Sequence, residues 1–165
     1  MNKVYLGIGG NLGNRVDNLR KTIKLIEQKI SNPLKISSPF LSEPWGFENK
    51  KYFLNAVVYL ETNLDYLQVL ENALEIENEL KRVRNSQGYE ARTMDIDILF
   101  FNNLVVKNNL VRIPHPRITD RLFVLLPMNE INPNFVHPEL NLSINQLVKI
   151  CPDKSKIRKC KIPLF

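Results

Sequence analysis

Cysteine is almost absent from this chain. Its 165 residues include Cys151 and Cys160 and no other thiol. Two cysteines separated by eight residues, with no histidine nearby, form neither a zinc motif nor a disulfide framework. A reduced, cytoplasmic setting is the expectation. Long hydrophobic runs are missing too. None approaches the ~20 apolar residues a membrane helix needs, so no membrane partner is expected. The opening MNKVYLGIGG reads as a strand and not as a signal peptide. There is no Gly/Ser linker and no internal repeat, which points to one domain over residues 1–165. Two glycine fingerprints also fail. GIGGNLGNR follows a strand and opens a helix, as a dinucleotide loop would, but the position that needs glycine is Leu12. No Gly-Lys-Ser/Thr follows, so it is not a P-loop. What is left is a tight turn, with Asn11 or Asn14 capping the next helix.

What is present is ordinary globular material. Hydrophobic residues make up 44% and charged residues 24%, enough for a substantial core. The net charge is +6, which favours anionic partners such as a nucleotide, a nucleic acid or a phosphorylated metabolite. Part of that surplus lies in the final KICPDKSKIRKCKIPLF, read here as a solvated basic end.

Periodicity divides the chain into elements. Lys3–Ile8 alternates as a strand, broken by Gly7, Gly9, Gly10 and Gly13. Val16, Leu19, Ile23, Ile26 and Ile30 recur at helical spacing between Asn14 and Ile30. Lys35–Ser42 is a weaker strand, 43–51 a loop, and Phe53–Glu61 a strong strand. Thr62 and Asn63 can cap a helix from Leu64 to Arg84. A second loop over 85–91 leads into ARTMDIDILFFNN at 91–103. Its Met94, Ile96, Ile98 and Phe100 alternate. A turn at Asn102–Asn103 and a hairpin return at Leu104–Val106 follow. Short helices are expected near Thr119–Leu126 and Ser143–Ile150. The order β-α-β-β-α-β predicts an α+β fold, a ferredoxin-like sheet with helices on one face and C-terminal additions.

Chemistry concentrates where a buried strand should carry no charge. Asp95 and Asp97 are two apart, so both point to one side with Cα atoms roughly 6.5–7 Å apart. That pair suits a shared Mg²⁺, which takes one or two carboxylates plus phosphate oxygens and water. The triplet alone reads equally well as an edge strand with both carboxylates in solvent. Arg92 stands just upstream, and Arg82 and Arg84 end the preceding helix. Arginines beside a metal-binding acid pair are the equipment of phosphoryl transfer, though cations also favour a helix C-terminus. With Leu67 at zero on that helix, Leu70, Ala73, Leu74, Ile76, Leu80 and Val83 share an arc, and Glu77 and Arg84 fall within it. A charge on an apolar face needs a partner or a use. IPHPRITDRLF adds His115, Arg117, Arg121 and Phe123; His115 serves either a phosphate or the loop itself. His137, without charged company, is read as structural. Asn55 shares a strand face with Phe53, Val57 and Tyr59. Its amide fits a heteroaromatic edge or a nearby backbone group equally well.

Taken together, YLGIGGNLGNR, FLNAVVYLET, ARTMDIDILFF and VRIPHPRITDRLFVLLPMNEI resemble the 6-hydroxymethyl-7,8-dihydropterin pyrophosphokinase family over nearly the whole chain. The resemblance implies transfer of the terminal diphosphate of ATP to the hydroxymethyl-dihydropterin, giving AMP and the pterin diphosphate, in folate biosynthesis. It implies Asp95 and Asp97 on two Mg²⁺ ions and Arg82 and Arg92 on the transferring group. Glu77, Arg84, Ile98, His115 and Arg121 would bind ATP. Ser42, Glu43, Trp45, Phe53, Asn55 and Phe123 would bind the pterin. A monomer with no nucleic-acid partner is expected. The loop before Arg92 departs from the family's Trp and Gly-Pro, with Tyr89, Glu90 and Ala91 instead. The alternatives are a basic RNA-binding module on a similar sheet and a Mg²⁺-dependent phosphohydrolase. The first lacks the glycine–aromatic strand motif; the second leaves Asn55 unexplained.

Overall fold

In the computed structural model, which describes residues 1–43, 51–80 and 93–165, strand β1 runs Asn2–Gly10. It continues through Gly7, Gly9 and Gly10, where the sequence suggested a break. Glycine weakens a strand but leaves its backbone free to pair, and β1 is paired on both sides. β4 (Phe53–Thr62) runs antiparallel to it from Asn2↔Thr62 to Gly10↔Leu54. β5 (Asp95–Phe101) lies antiparallel on the other side, with Gly9 opposite Asp95 and Gly7 opposite Asp97.

Helix α1 (Arg15–Lys29) starts at Asn14, whose side chain accepts the Asp17 N–H. Asn11 is not the cap; it is buried, and its amide donates to the Lys51 carbonyl. The strand expected over Lys35–Ser42 is two strands, β2 (Pro33–Ile36) and β3 (Phe40–Ser42). They part at Ser37–Pro39. There the Ser37 hydroxyl accepts the Val57 N–H at 2.9 Å, a side chain standing in for the ladder.

Helix α2 (Tyr66–Glu79) is capped by Asp65, not by Thr62 or Asn63. Asp65 accepts the Leu67 and Gln68 N–H groups, and Gln68 reaches back to the Asp65 N–H, a reciprocal capping box. Thr62 instead ties α1 to the sheet, donating to the Ile30 carbonyl. The buried stripe of α2 is Val69, Ala73, Ile76 and Glu77. Leu67 and Leu74 are 38% and 44% exposed, so the arc centred on Leu67 is rotated from the one the helix buries.

After β5 the chain turns at Asn102, in the left-handed region that asparagine tolerates (φ 49°). β6 (Val106–Lys107) does not return along β5; it pairs with β7 (Arg112–Ile113) in a separate hairpin. The helix expected at Thr119–Leu126 is a 3₁₀ turn, Ile118–Asp120, followed by α3 (Leu122–Ile131). Helix α4 (Ile144–Ile150) begins at a Ser143–Gln146 capping box. β8 (Arg158–Lys159) then pairs with β3. The end of the chain is therefore not simply a solvated basic segment.

The sheet order is β5-β1-β4-β3-β8, with β2 also on β4, and every pairing is antiparallel. Strand alternation gives it two apolar faces. Val4, Leu6, Ile8, Ala56, Val58 and Leu60 pack under α1 and α2. Tyr5, Val57, Leu99 and Phe100 pack against α3 and α4. Among the described residues the architecture is mixed α/β, with an antiparallel sheet and four α-helices. Among the described residues, no helix is long and apolar enough to cross a membrane.

Candidate active site

The acid-bearing strand is irregular, and the irregularity shapes the site. Leu6 faces Ile98 and Tyr5 faces Phe100, so Leu99 is an extra residue bulged between them. A bulge shifts the alternation by one. Ile96 and Ile98 point toward α1 and α2, but Leu99 and Phe100 both join the opposite cluster. The even alternation from Met94 to Phe100 is thus broken at Leu99. Gly7 lies against the bulged residue: a Cβ there would meet the end of the Leu99 side chain, Cδ2, at 3.1 Å.

Asp95 and Asp97 lie before the bulge, beside the bare backbone of Gly9 and Gly7. Glu77 supports them from the other side of the sheet. Its buried carboxylate accepts the Ile96 N–H at 2.7 Å, fixing the peptide between the two aspartates. The charge on the apolar face of α2 thus has a backbone partner.

His115 closes one side. Its N–H donates to the Leu99 carbonyl, and its Nδ1 accepts the Arg117 N–H at 3.2 Å. With Nδ1 an acceptor, Nε2 carries the proton, and it faces Asp97 Oδ2 at 3.8 Å. Burial lowers the imidazole from its usual 6.5 to about 4, helped by Arg121 and Arg117 and opposed by Asp95. At neutral pH this contact is a neutral N–H facing a carboxylate, not an ion pair. Arg121 stands beside it, with its Cζ 5.7 Å from the Phe123 ring centre. Its buried Nε has no partner among the described residues.

The far end is aromatic and amide. Asn55 is buried on β4, and its Nδ2 donates to Ser42 Oγ on β3 at 2.8 Å. This leaves Oδ1 over Gly9, where any Cβ would collide with it. One cavity of about 280 Å³ links both ends. Ser42, Glu43, Phe53 and Asn55 line it on the β3–β4 side and Asp95 and Asp97 on β5, with His115, Arg121 and Phe123 completing the wall. A second cavity, about 450 Å³, opens along the outer edge of β5. It shares Asp97 and His115 with the first and is walled by Leu70, Ile96 and Ile98, with Arg112 at its rim.

The donor set suits a hard cation. Among the described residues, no group of three or more His, Cys, Asp or Glu is placed to hold a metal. A pair of adjacent carboxylates is what Mg²⁺ uses when substrate phosphates and water complete its shell.

Of the residues singled out from the sequence, Ser42, Glu43, Phe53, Asn55, Asp95, Asp97, His115, Arg121 and Phe123 meet around one cavity, and Ile98 lines its neighbour. Glu77 lies beneath the strand. Trp45, Arg82, Arg84 and Arg92 lie outside the described residues, as do Tyr89 and Glu90. Sequence reasoning treated Gly7 and Gly9 as turn residues. Their spacing of two, inside a strand, was the available sign of a bare stripe on one face. His137 is structural: its Nδ1 accepts the Glu139 and Leu140 N–H groups, and its ring meets Phe100 edge-on.

Residues 5–133 match the family model for 7,8-dihydro-6-hydroxymethylpterin-pyrophosphokinase (HPPK). The chain is 37% identical over 138 residues to the 2-amino-4-hydroxy-6-hydroxymethyldihydropteridine pyrophosphokinase of Aquifex aeolicus, covering 84% of this chain and 85% of that one. It is 39% identical over 131 residues to the Bacillus subtilis protein of the same name, covering 79% and 78%. The folic acid synthesis protein FOL1 of Dictyostelium discoideum is 33% identical over 98% of this chain, which spans only 24% of that longer protein. In fold, the chain is similar to the solved wild-type HPPK-DHPS of Plasmodium falciparum with pteroate. The TM-score is 0.74 at 18% identity, over 90% of this chain and 44% of that one. With its acid pair, glycine stripe and amide pocket inside the matched residues, this chain belongs to the 7,8-dihydro-6-hydroxymethylpterin-pyrophosphokinase family.

Proposed function

We propose that this protein transfers the terminal diphosphate of ATP to 6-hydroxymethyl-7,8-dihydropterin, giving AMP and the pterin diphosphate, as a step of folate biosynthesis. The observation that carries this reading is the single cavity joining an amide-and-aromatic end to an acid pair. Asn55 Oδ1 accepts from the N–H edge of the pterin, with Phe53 and Phe123 against the rings. The hydroxymethyl arm then crosses Gly9 toward Asp95. Asn55 and Asp95 are separated by two strand spacings, about 9.5 Å, which suits a two-ring heterocycle and its one-carbon arm. ATP takes the adjoining cavity, its base on the apolar wall of Leu70 and Ile98 and its phosphates beside His115 and Arg121.

Asp95 and Asp97 would hold two Mg²⁺ ions, which supply charge neutralisation between the phosphates and the incoming oxygen. The chain's own residues position and stabilise. The neutral His115 donates from Nε2 toward phosphate oxygen without repelling a cation. Arg121 adds fixed positive charge, and Glu77 keeps the acid-bearing strand in register. Arg82 and Arg92 are assigned to the transferring group, Arg84 to ATP and Trp45 to the pterin. Preorganised charge of this type is the main catalytic resource in phosphoryl transfer.

The sheet order and the two helices on one face support a ferredoxin-like assignment, with α3, α4 and β8 as additions. One domain, acting as a monomer in the cytoplasm, accords with the core and composition. The RNA-binding alternative finds no support, because helices pack on both faces of the sheet and the cavity left between them is lined by Asp95 and Asp97. The test is incubation with ATP, Mg²⁺ and the hydroxymethyl-dihydropterin. AMP formed only with pterin present is expected; ADP, or hydrolysis without pterin, would sink the reading.

A further inference from the structure

We propose that residues 158–164 form a strap that positions β3, and through it Ser42 and Asn55, for the acceptor. This inference rests on the pyrophosphokinase reading. It concerns residues beyond the family match, which ends at residue 133.

The path of the segment is the first observation. Cys151 is buried with Tyr5, Phe100 and α3 on one face of the sheet. Leu164, 4% exposed, is buried with α1 in the core of the other face. Between them the chain passes the outer edge of β3, pairing Phe40 with Lys159 and Leu41 with Arg158. The Cys160 N–H donates to the Pro39 carbonyl at 2.8 Å. On the far side, Arg20 of α1 donates to the Pro163 carbonyl at 2.8 Å. The segment is anchored on both faces and bonded to the strand in the middle.

The second observation is that β3 needs the help. It has three residues and is separated from β2 by Ser37–Pro39. One edge pairs with β4; without β8 the other would have open backbone groups. Glu130 of α3 closes the assembly. Its Oε1 accepts from the Ser38 N–H and hydroxyl, and its Oε2 faces Lys159 Nζ at 3.4 Å. At the end of β3, Ser42 accepts the Asn55 amide. A shift of β3 therefore moves the partner that orients the acceptor-reading amide.

The test uses the full chain with Leu164→Asp, which puts a charge into the buried anchor. Acceptor KM is expected to rise about tenfold, with kcat and ATP KM within about twofold. Amide exchange at residues 40–42 quickens, and Leu164→Ile restores parental values. A merely structural anchor would lower the active fraction, and so kcat, without moving acceptor KM. Lys159→Glu is the surface variant that keeps the core intact. It sets two carboxylates together at Glu130, and acceptor KM rises about threefold. Acceptor KM within about twofold of the parent in both variants overturns the strap. A parent chain that makes no pterin-dependent AMP overturns the underlying reading instead.

Discussion

Replacing Gly9 with alanine tests the site where its parts are closest. The new Cβ would lie inside van der Waals contact of Asn55 Oδ1, 3.3 Å from Asn55 Cγ and 3.4 Å from the Leu54 carbonyl oxygen. The backbone on both sides is held in ladders, so the Asn55 side chain must yield. Turning it away breaks the 2.8 Å bond to Ser42 in a buried place. Leaving buried polar groups unpaired costs about 1–3 kcal/mol. If that cost falls on acceptor binding, acceptor KM rises roughly five- to 150-fold. ATP KM stays near the parental value, because the proposed nucleotide walls Leu70 and Ile98 lie around the outer edge of β5. The assay is AMP formation with the acceptor varied at saturating ATP, beside a thermal melt. Gly7→Ala is the control. Its Cβ meets the end of the Leu99 side chain, which can give way, so the effect on acceptor KM is smaller. Equal acceptor KM in the parent and Gly9→Ala, with both folded, would show that Asn55 does not read the acceptor.

The remaining predictions concern the acids and a histidine. Asp97→Ala should lower Mg²⁺-dependent turnover by about 100-fold or more, with an unchanged melt, since this side chain is 41% exposed; near-normal activity would show that the metal assignment is wrong. Glu77→Ala strands the buried Ile96 N–H and should cost about 1–3 kcal/mol in urea unfolding. His137 is lowered from 6.5 by burial, partly opposed by Glu139. Its neutral form is the folded one, so its contribution is full above pH 6.5 and is lost as pH falls toward the lowered value. Melts of His137→Asn, which keeps an acceptor for the Glu139 and Leu140 N–H groups, should therefore depend less on pH between 7 and 5 than those of the parent.

Local chemistry made much of the fold legible. The alternation of β1, β4 and β5 and the periodicity of α1 each report a face buried along the whole element. The acid pair and Asn55 stood out because polar groups were set among apolar ones. What was missed depends on partners distant in sequence. Phe100 changes face because Leu99 bulges opposite the Tyr5–Leu6 step of a strand more than ninety positions earlier. Asp65 caps α2 because the helix starts at Tyr66; Thr62 lies too far upstream, donating to the Ile30 carbonyl and accepting the Leu64 N–H. Lys159 looks like a solvated cation until β3 and Glu130 are beside it. Glu77 could be seen as a charge on an apolar face, but its Ile96 partner could not. The glycines of β1 were read as conformational devices, whereas the stripe at positions 7 and 9 serves by presenting no side chain.

In the proposed reaction, two cavities that meet at Asp97 and His115 bring the β-phosphorus of ATP to the acceptor hydroxyl beside the acid pair. Following label from ATP carrying radioactive phosphorus at the β position tests it most directly. With the hydroxymethyl-dihydropterin and Mg²⁺ present, the label is expected to pass to the pterin product while AMP forms unlabelled. Label retained in ADP, or released as free diphosphate whether or not pterin is present, would contradict it.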